Sequence, residues 1–272
     1  FAPRIEASRD VPVQLIVDGS DSNTATIALG YADVVAETYA TAVRTEHLRR
    51  AGRRLPDAPL DVRARVWFNP DMESKNYIVP GLTAVIMMVI AALLTSLTVA
   101  REWERGTMEQ LISTPVKSQE LILGKLVPYF VIGMSDVLLA VLMGEFVFDV
   151  PLRGSVPLLF GISAVFLVGA LSLGMTISIV TKSQLLASQL AMVATFLPAF
   201  LLSGFMFAIA NMPAPIQAIT YLIPARYFVS LLKGIYLKGV GLEVLAGEAA
   251  LLAVFSVVMV LVANAKFKKK LE

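Results

Sequence analysis

Few residues in this chain have the type and spacing to do chemistry, and those few sit among apolar neighbours. Asp136 lies in mid-run in "LVPYFVIGMSDVLLAVLMGEF". A carboxylate at the centre of a bilayer costs about 2.5–3.5 kcal/mol on insertion scales, so Asp136 has to face protein or water. Two roles fit it: a proton-coupling or substrate-contacting group, or a structural acid kept protonated or hydrogen-bonded. Glu145 is half a helical turn out of phase with it, so the two acids do not form one site. Ser230 and Lys233 match the S-x-x-K spacing of some hydrolases, but nothing else of that pattern accompanies them and the match reads as chance. "VDGSDSNTA" resembles an anion site at a helix start, yet its Asp and Ser residues serve more simply as caps and turn formers. "LILGKL" has a Gly-Lys pair without the earlier glycine or following hydroxyl of a phosphate-binding loop. His47 is the single histidine and cysteine is absent, which leaves no His-based zinc site and no thiolate ligand. No catalytic, cofactor-binding or metal-binding set is expected in this chain, and no nucleotide hydrolysis.

One segment stands apart in charge. "REWERGTMEQLISTPVKSQELILGK", residues 101 to 125, separates two long apolar runs. Thr107 and Gln110 have capping-box spacing, which predicts a short helix starting after "GT". "STP" ends it, and Pro115 suits the first turn of the next helix with Thr114 as its cap. Glu102, Glu104, Arg105 and Glu109 then surround apolar Trp103, Met108, Leu111 and Ile112. Those apolar residues could face lipid headgroups or a protein partner, and spacing alone leaves both open.

The elements that must hold these residues follow from composition. The chain has 272 residues, 57% of them hydrophobic, with a formal net charge of +2 that gives no hint of nucleic acid. Its mean hydropathy of +0.73 belongs to the membrane class. Apolar runs at about 77–100, 126–148, 155–180, 190–210 and 244–265 are each long enough to span ~30 Å of hydrocarbon. Residues 1 to 76 are polar. There "VPVQLIVDG" and "DVRARVWFN" read as strands around a helix from Ser22 to Arg50, joined by the linker "AGRRLPDAPLD", which predicts a small α+β domain.

Lys266, Lys268, Lys269 and Lys270 should hold the C-terminal tail in the cytoplasm. Alternation then puts the 211–243 loop outside, Lys182 inside, the "DVPLRGS" turn outside, the 101–125 loop inside and residues 1 to 76 outside. An exported domain needs a span to carry it across, so a further span with a cytoplasmic start is expected upstream of Phe1. Ala170 and Gly174, beside Gly169 and Ser172, suit close helix packing within or between subunits. Pro198 should bend its span. The outer segment 211–241, punctuated by Pro213, Pro215 and Pro224, reads as two short helices dipping into the outer leaflet. Arg226 begins the second, where it lines an exit path or anchors to lipid phosphate or a carboxylate.

"AREWERGTMEQLISTPVKSQELILGKLVPYF" resembles the loop after the second span in permeases of the ABC type-2 transporter family, in its multidrug-exporter-like branch. "LIVDGSDSNTA", "WFNPDMESKNYIVPGL", "ASQLAMVATFLPAFLLSGFMF" and "MPAPIQAITYLIPARYFVSLLKGIYLKG" agree, so the resemblance covers nearly the whole chain. It implies a polytopic α-helical permease of six spans, of which five are visible here, with the extracytoplasmic domain between the first two. It also implies that the 101–125 loop carries the coupling helix that meets a separate ATPase, with Glu102, Glu104, Arg105, Thr107, Glu109 and Gln110 as the contacting set. ATP and Mg would be held by that ATPase, and a second permease, identical or paralogous, would complete the path. An amphipathic or drug-like substrate, a periplasmic membrane-fusion adaptor and a bacterial inner membrane follow on the same ground. Two other readings remain: an ion-coupled secondary transporter using Asp136, and a membrane anchor that transports nothing.

Overall fold

A computed structural model describes residues 22–50 and 74–267. The chain divides into two units, residues 1–64 and 65–272. In the first, α1 (Ser22–Arg50) is the described element. It carries an i,i+4 ion pair between Glu46 and Arg50, and exposes Tyr31, Val34, Val35 and Tyr39. This matches the helix expected from the sequence.

The α+β domain does not stand. The described residues contain no β-strand, and what they show of the N-terminal 76 residues is α1 and the first residues of the next helix. The two segments read as strands, 11–19 and 61–69, lie outside the described residues. Apolar alternation is a local signal, whereas a strand exists only when a neighbour accepts and donates its backbone hydrogen bonds. A helix needs no such neighbour.

The second unit is α2 (Ser74–Glu104), α3 (Thr107–Ser113), α4 (Ser118–Phe146), α5 (Val156–Thr181), α6 (Gln184–Leu202), α7 (Ala214–Thr220), α8 (Pro224–Lys233) and α9 (Leu242–Lys266). Five of these, α2, α4, α5, α6 and α9, are long and apolar enough to cross a membrane. They correspond one for one to the five apolar runs. Their ends differ from the runs because helices continue through polar residues until a cap stops them: α4 begins at Ser118 and α6 at Gln184.

Helices α2 and α5 form the inner pair, with half of each apolar stretch buried, against about a fifth for α4, α6 and α9. Small residues set that closeness. A Cβ on Gly174 would stand 2.8 Å from Ala92 Cα, so only glycine admits the backbone of α2 there. One turn on, Ser178 Oγ accepts from the backbone N–H of Val99 (3.0 Å) and Ala100 (2.9 Å). Gly169 does the same service for α9, where Ser256 Oγ donates to Val165 O at 2.8 Å. The small-residue motif therefore works within the subunit, on two sides of α5. Helix α8 is driven into this core: Phe228 stacks on Phe166 at 3.9 Å, and Ala225, Leu231 and Leu232 are buried beside it. The paired short helices expected in the 211–241 segment are α7 and α8.

Candidate functional site

The charged loop folds as a helix laid against one end of the bundle. Met108 of α3 is fully buried in a cluster with Val99, Ile122, Met175, Ile179 and Phe267, and Trp103 and Leu111 pack on its edge. The apolar side of the loop is thus spent on the protein's own helices rather than on headgroups. On the other side Arg105, Thr107, Glu109, Gln110 and Ser113 are exposed.

The caps differ from expectation. Gly106, in the left-handed region at φ 72°, precedes α3, so Thr107 is its first helical residue rather than its cap. Thr107 Oγ1 makes only a long contact of 3.4 Å to Glu102 O, and no capping box with Gln110 forms. Thr114 closes α3 through its N–H (3.3 Å) and hydroxyl (2.6 Å), both donated to Leu111 O. It does not open the next helix, because residues 115–117 are not helical and that helix has Lys117 as its N-cap. Helix α4 starts at Ser118, where the Lys117 N–H donates to the Glu120 carboxylate at 2.9 Å.

The six expected partner contacts split into two groups. Glu102 turns inward to an ion pair with Lys125 of α4, both side chains mostly buried. Glu104 accepts from the backbone N–H of Gln184 (2.7 Å) and from its side-chain amide (2.5 Å), which caps α6 from the end of α2. Lys182 sits over the Trp103 ring at 4.4 Å and ties the α5–α6 turn to the same corner. Glu102 and Glu104 therefore brace the end of α2 against α4 and α6, while Arg105, Thr107, Glu109 and Gln110 keep a free outer face. The partners Lys125 and Gln184 carried no signal in sequence, being 23 and 80 residues from their acids.

Asp136 is half-buried in a cleft of about 120 Å³ between α2, α4 and α5, lined by Thr83, Ile90, Tyr129, Gly133 and Leu171 among others. It has no hydrogen-bond or ion-pair partner among the described residues. Glu145 is not in the cleft. Arg226, the third residue of α8, donates to Thr220 Oγ1 and, at 3.4 Å, to Gln217 O, with its guanidinium 3.7 Å from the centre of the Tyr221 ring. Ser230 and Lys233 make no hydrogen bond to each other; Lys233 Nζ donates instead to Gly204 O at 2.9 Å, which leaves the S-x-x-K spacing without a nucleophile–base pair. Among the described residues no cluster of His, Asp and Glu could hold a metal ion.

The sequence that folds into this bundle has relatives. The profile of the "ABC-2 family transporter protein" family matches residues 1–264, and the chain belongs to that family. It is similar to the probable multidrug ABC transporter permease YbhS of Escherichia coli K12, 46% identical over 240 residues, covering 88% of this chain and 62% of YbhS. The probable multidrug ABC transporter permease YbhR of the same organism is 30% identical over 273 residues, 99% of this chain and 71% of YbhR. The E. coli inner membrane transport permease YhhJ is 28% identical over 276 residues, again 99% and 71%. The chain thus spans about two thirds of the length of these curated relatives.

Proposed function

We propose that this chain is the membrane-spanning part of an ABC exporter permease, powered by a separate ATPase that docks on the outer face of α3. The observation that carries the reading is the division of labour around that helix. Its apolar side is anchored by Met108 and its flanks are braced by Glu102–Lys125 and Glu104–Gln184, yet Arg105, Glu109 and Gln110 stay exposed. A braced helix with an unspent polar face can pass a push from a partner into α2, α4 and α6 together. The relatives' names support an amphipathic, drug-like substrate and an inner-membrane location. A second permease, identical or paralogous, and a membrane-fusion adaptor complete the proposal, with α3 on the cytoplasmic side and the α7–α8 segment outside.

The test is co-purification with the partner ATPase, together with substrate-stimulated ATP hydrolysis in lipid. Glu109→Lys should abolish both while the permease still reaches the membrane, by setting a reversed charge against the partner's surface. Unchanged complex yield and turnover would reject the docking face.

A second reading is supported by its own observation: Asp136 borders an apolar cleft and has no partner among the described residues. Transport that persists without the ATPase but needs an ion gradient and Asp136 would favour a secondary transporter.

A further inference from the structure

We propose that the cavity between α8, the first turns of α9 and the 203–209 segment binds the phosphate of a membrane lipid headgroup, held by Arg226 and Lys233. Helix α8 is sharply two-faced. Phe228, Leu231 and Leu232 are buried in the bundle, while Arg226, Ser230 and Lys233, at i, i+4 and i+7, share the opposite side and line a cavity of about 530 Å³. That is the size range of a pocket for a small organic molecule rather than a single ion.

Both cations are positioned by neutral groups, so their charge is left unmatched. Lys233 lies 3.6 Å from the Tyr77 ring centre and donates to Gly204 O; Tyr77 is itself fixed by donating its hydroxyl to Phe205 O at 2.7 Å. Arg226 is held by Tyr221, Thr220 and Gln217. Neither forms an ion pair among the described residues, and Glu248, the acid that lines the cavity from α9, pairs with neither. An anion entering here meets cations that are already oriented.

The surroundings favour a lipid over a free anion. Glu248 is less than two turns from the start of α9, at the end of the bundle opposite α3, a depth of roughly 10 Å at 1.5 Å per residue. Below it, Leu251, Val254, Val258 and Leu261 continue one exposed apolar stripe along α9 from Gly247, where a Cβ would meet nothing within 4 Å. A headgroup in the cavity would lay its acyl chains along that stripe. This inference does not depend on the transport reading, since it concerns binding alone.

The test is the association of spin-labelled phosphatidylglycerol and phosphatidylcholine with the purified full-length protein in bilayers. Phosphatidylglycerol should be preferred, and Arg226→Gln and Lys233→Gln should each lower the preference about fivefold, the equivalent of roughly 1 kcal/mol per cation. Arg226→Lys and Lys233→Arg should largely keep it, which separates charge from folding. Lys266→Gln, an exposed charge at the other end of α9, should lower it by clearly less than either.

Burial pushes the Lys233 ammonium down to about 8, so the preference of the native protein should fall as pH rises through that value. The other titratable groups around it are Tyr77, Tyr221, Arg226, Tyr227 and Glu248; Lys233→Arg isolates its share by removing the pH dependence. Retained preference in both Gln variants, or an equal loss in Lys266→Gln, would overturn the proposal. Full displacement of the labelled lipid by millimolar inorganic phosphate would overturn the lipid as occupant and make the cavity a free-anion site.

Discussion

Glu102 and Glu109 are seven residues apart in one charged loop, yet their environments assign them opposite duties. Glu102 is mostly buried, with Oε1 paired to Lys125 and Oε2 without a hydrogen-bond partner among the described residues. Removing it by Glu102→Ala strands a partly buried ammonium, at a cost of about 1–3 kcal/mol. A lowered melting temperature in detergent is therefore expected. Glu109→Ala touches no neighbour and should stay within about 0.5 kcal/mol of the native protein. Equal melting temperatures for the two variants would contradict the bracing role. Asp136→Asn behaves differently again. With no partner to lose among the described residues, it should leave assembly intact and hold or raise the melting temperature, since an amide is cheaper than a carboxylate in an apolar cleft. A drop of several degrees would reveal an interaction with a chain outside this one.

At the scale of elements, the glycines of α5 make a graded experiment. Gly174→Ala sets a methyl against the backbone of α2, which cannot yield, and should destabilise by about 1–3 kcal/mol. Gly169→Ala meets the Ser256 and Phe255 side chains, which can move, and should cost less. Gly161→Ala meets nothing within 4 Å and should be neutral or stabilising by about 0.5–1 kcal/mol through helix propensity. Thermal unfolding of the series reads the order, and a flat series would count against the close α2–α5 contact. Before α3, Gly106→Ala forces an L-residue into the left-handed region at about 1–2 kcal/mol, enough to fray a seven-residue helix. Thr107→Ala, which removes no cap, should be nearly silent in the same ATP-hydrolysis assay.

For the whole molecule, the outward sides of α4, α6 and α9 remain apolar, as lipid or a second permease requires. The absence of cysteine makes sidedness directly measurable. Glu109→Cys and Ala214→Cys place single thiols at exposed positions of α3 and α7. A membrane-impermeant maleimide should label the second in intact cells and the first only after lysis. The reverse pattern would invert the proposed orientation and move the ATPase face outside.

Local pattern and composition were enough to set part of this structure. The five apolar runs became five long helices because a helix satisfies its own backbone in a hydrocarbon medium, whatever its neighbours do. The break at Ser113, the paired helices around Pro224 and the small-residue packing at Gly174 were legible for the same reason. Caps were less so: Thr107 has the right type for a cap, but the glycine before it takes the turn. The strand reading of the N-terminal region found no support, since the described residues contain no strand and the two segments lie outside them. Tertiary structure alone decided which acids of the charged loop are engaged by the chain itself, with Glu102 turned inward on Lys125 and Glu104 at the surface on Gln184. It alone brought Arg226 and Lys233 to one cavity with α9, and left Asp136 without a partner among the described residues. Those outcomes depend on distances between segments far apart in the chain, and only the packing of α2 on α5 and of α8 into the bundle sets such distances.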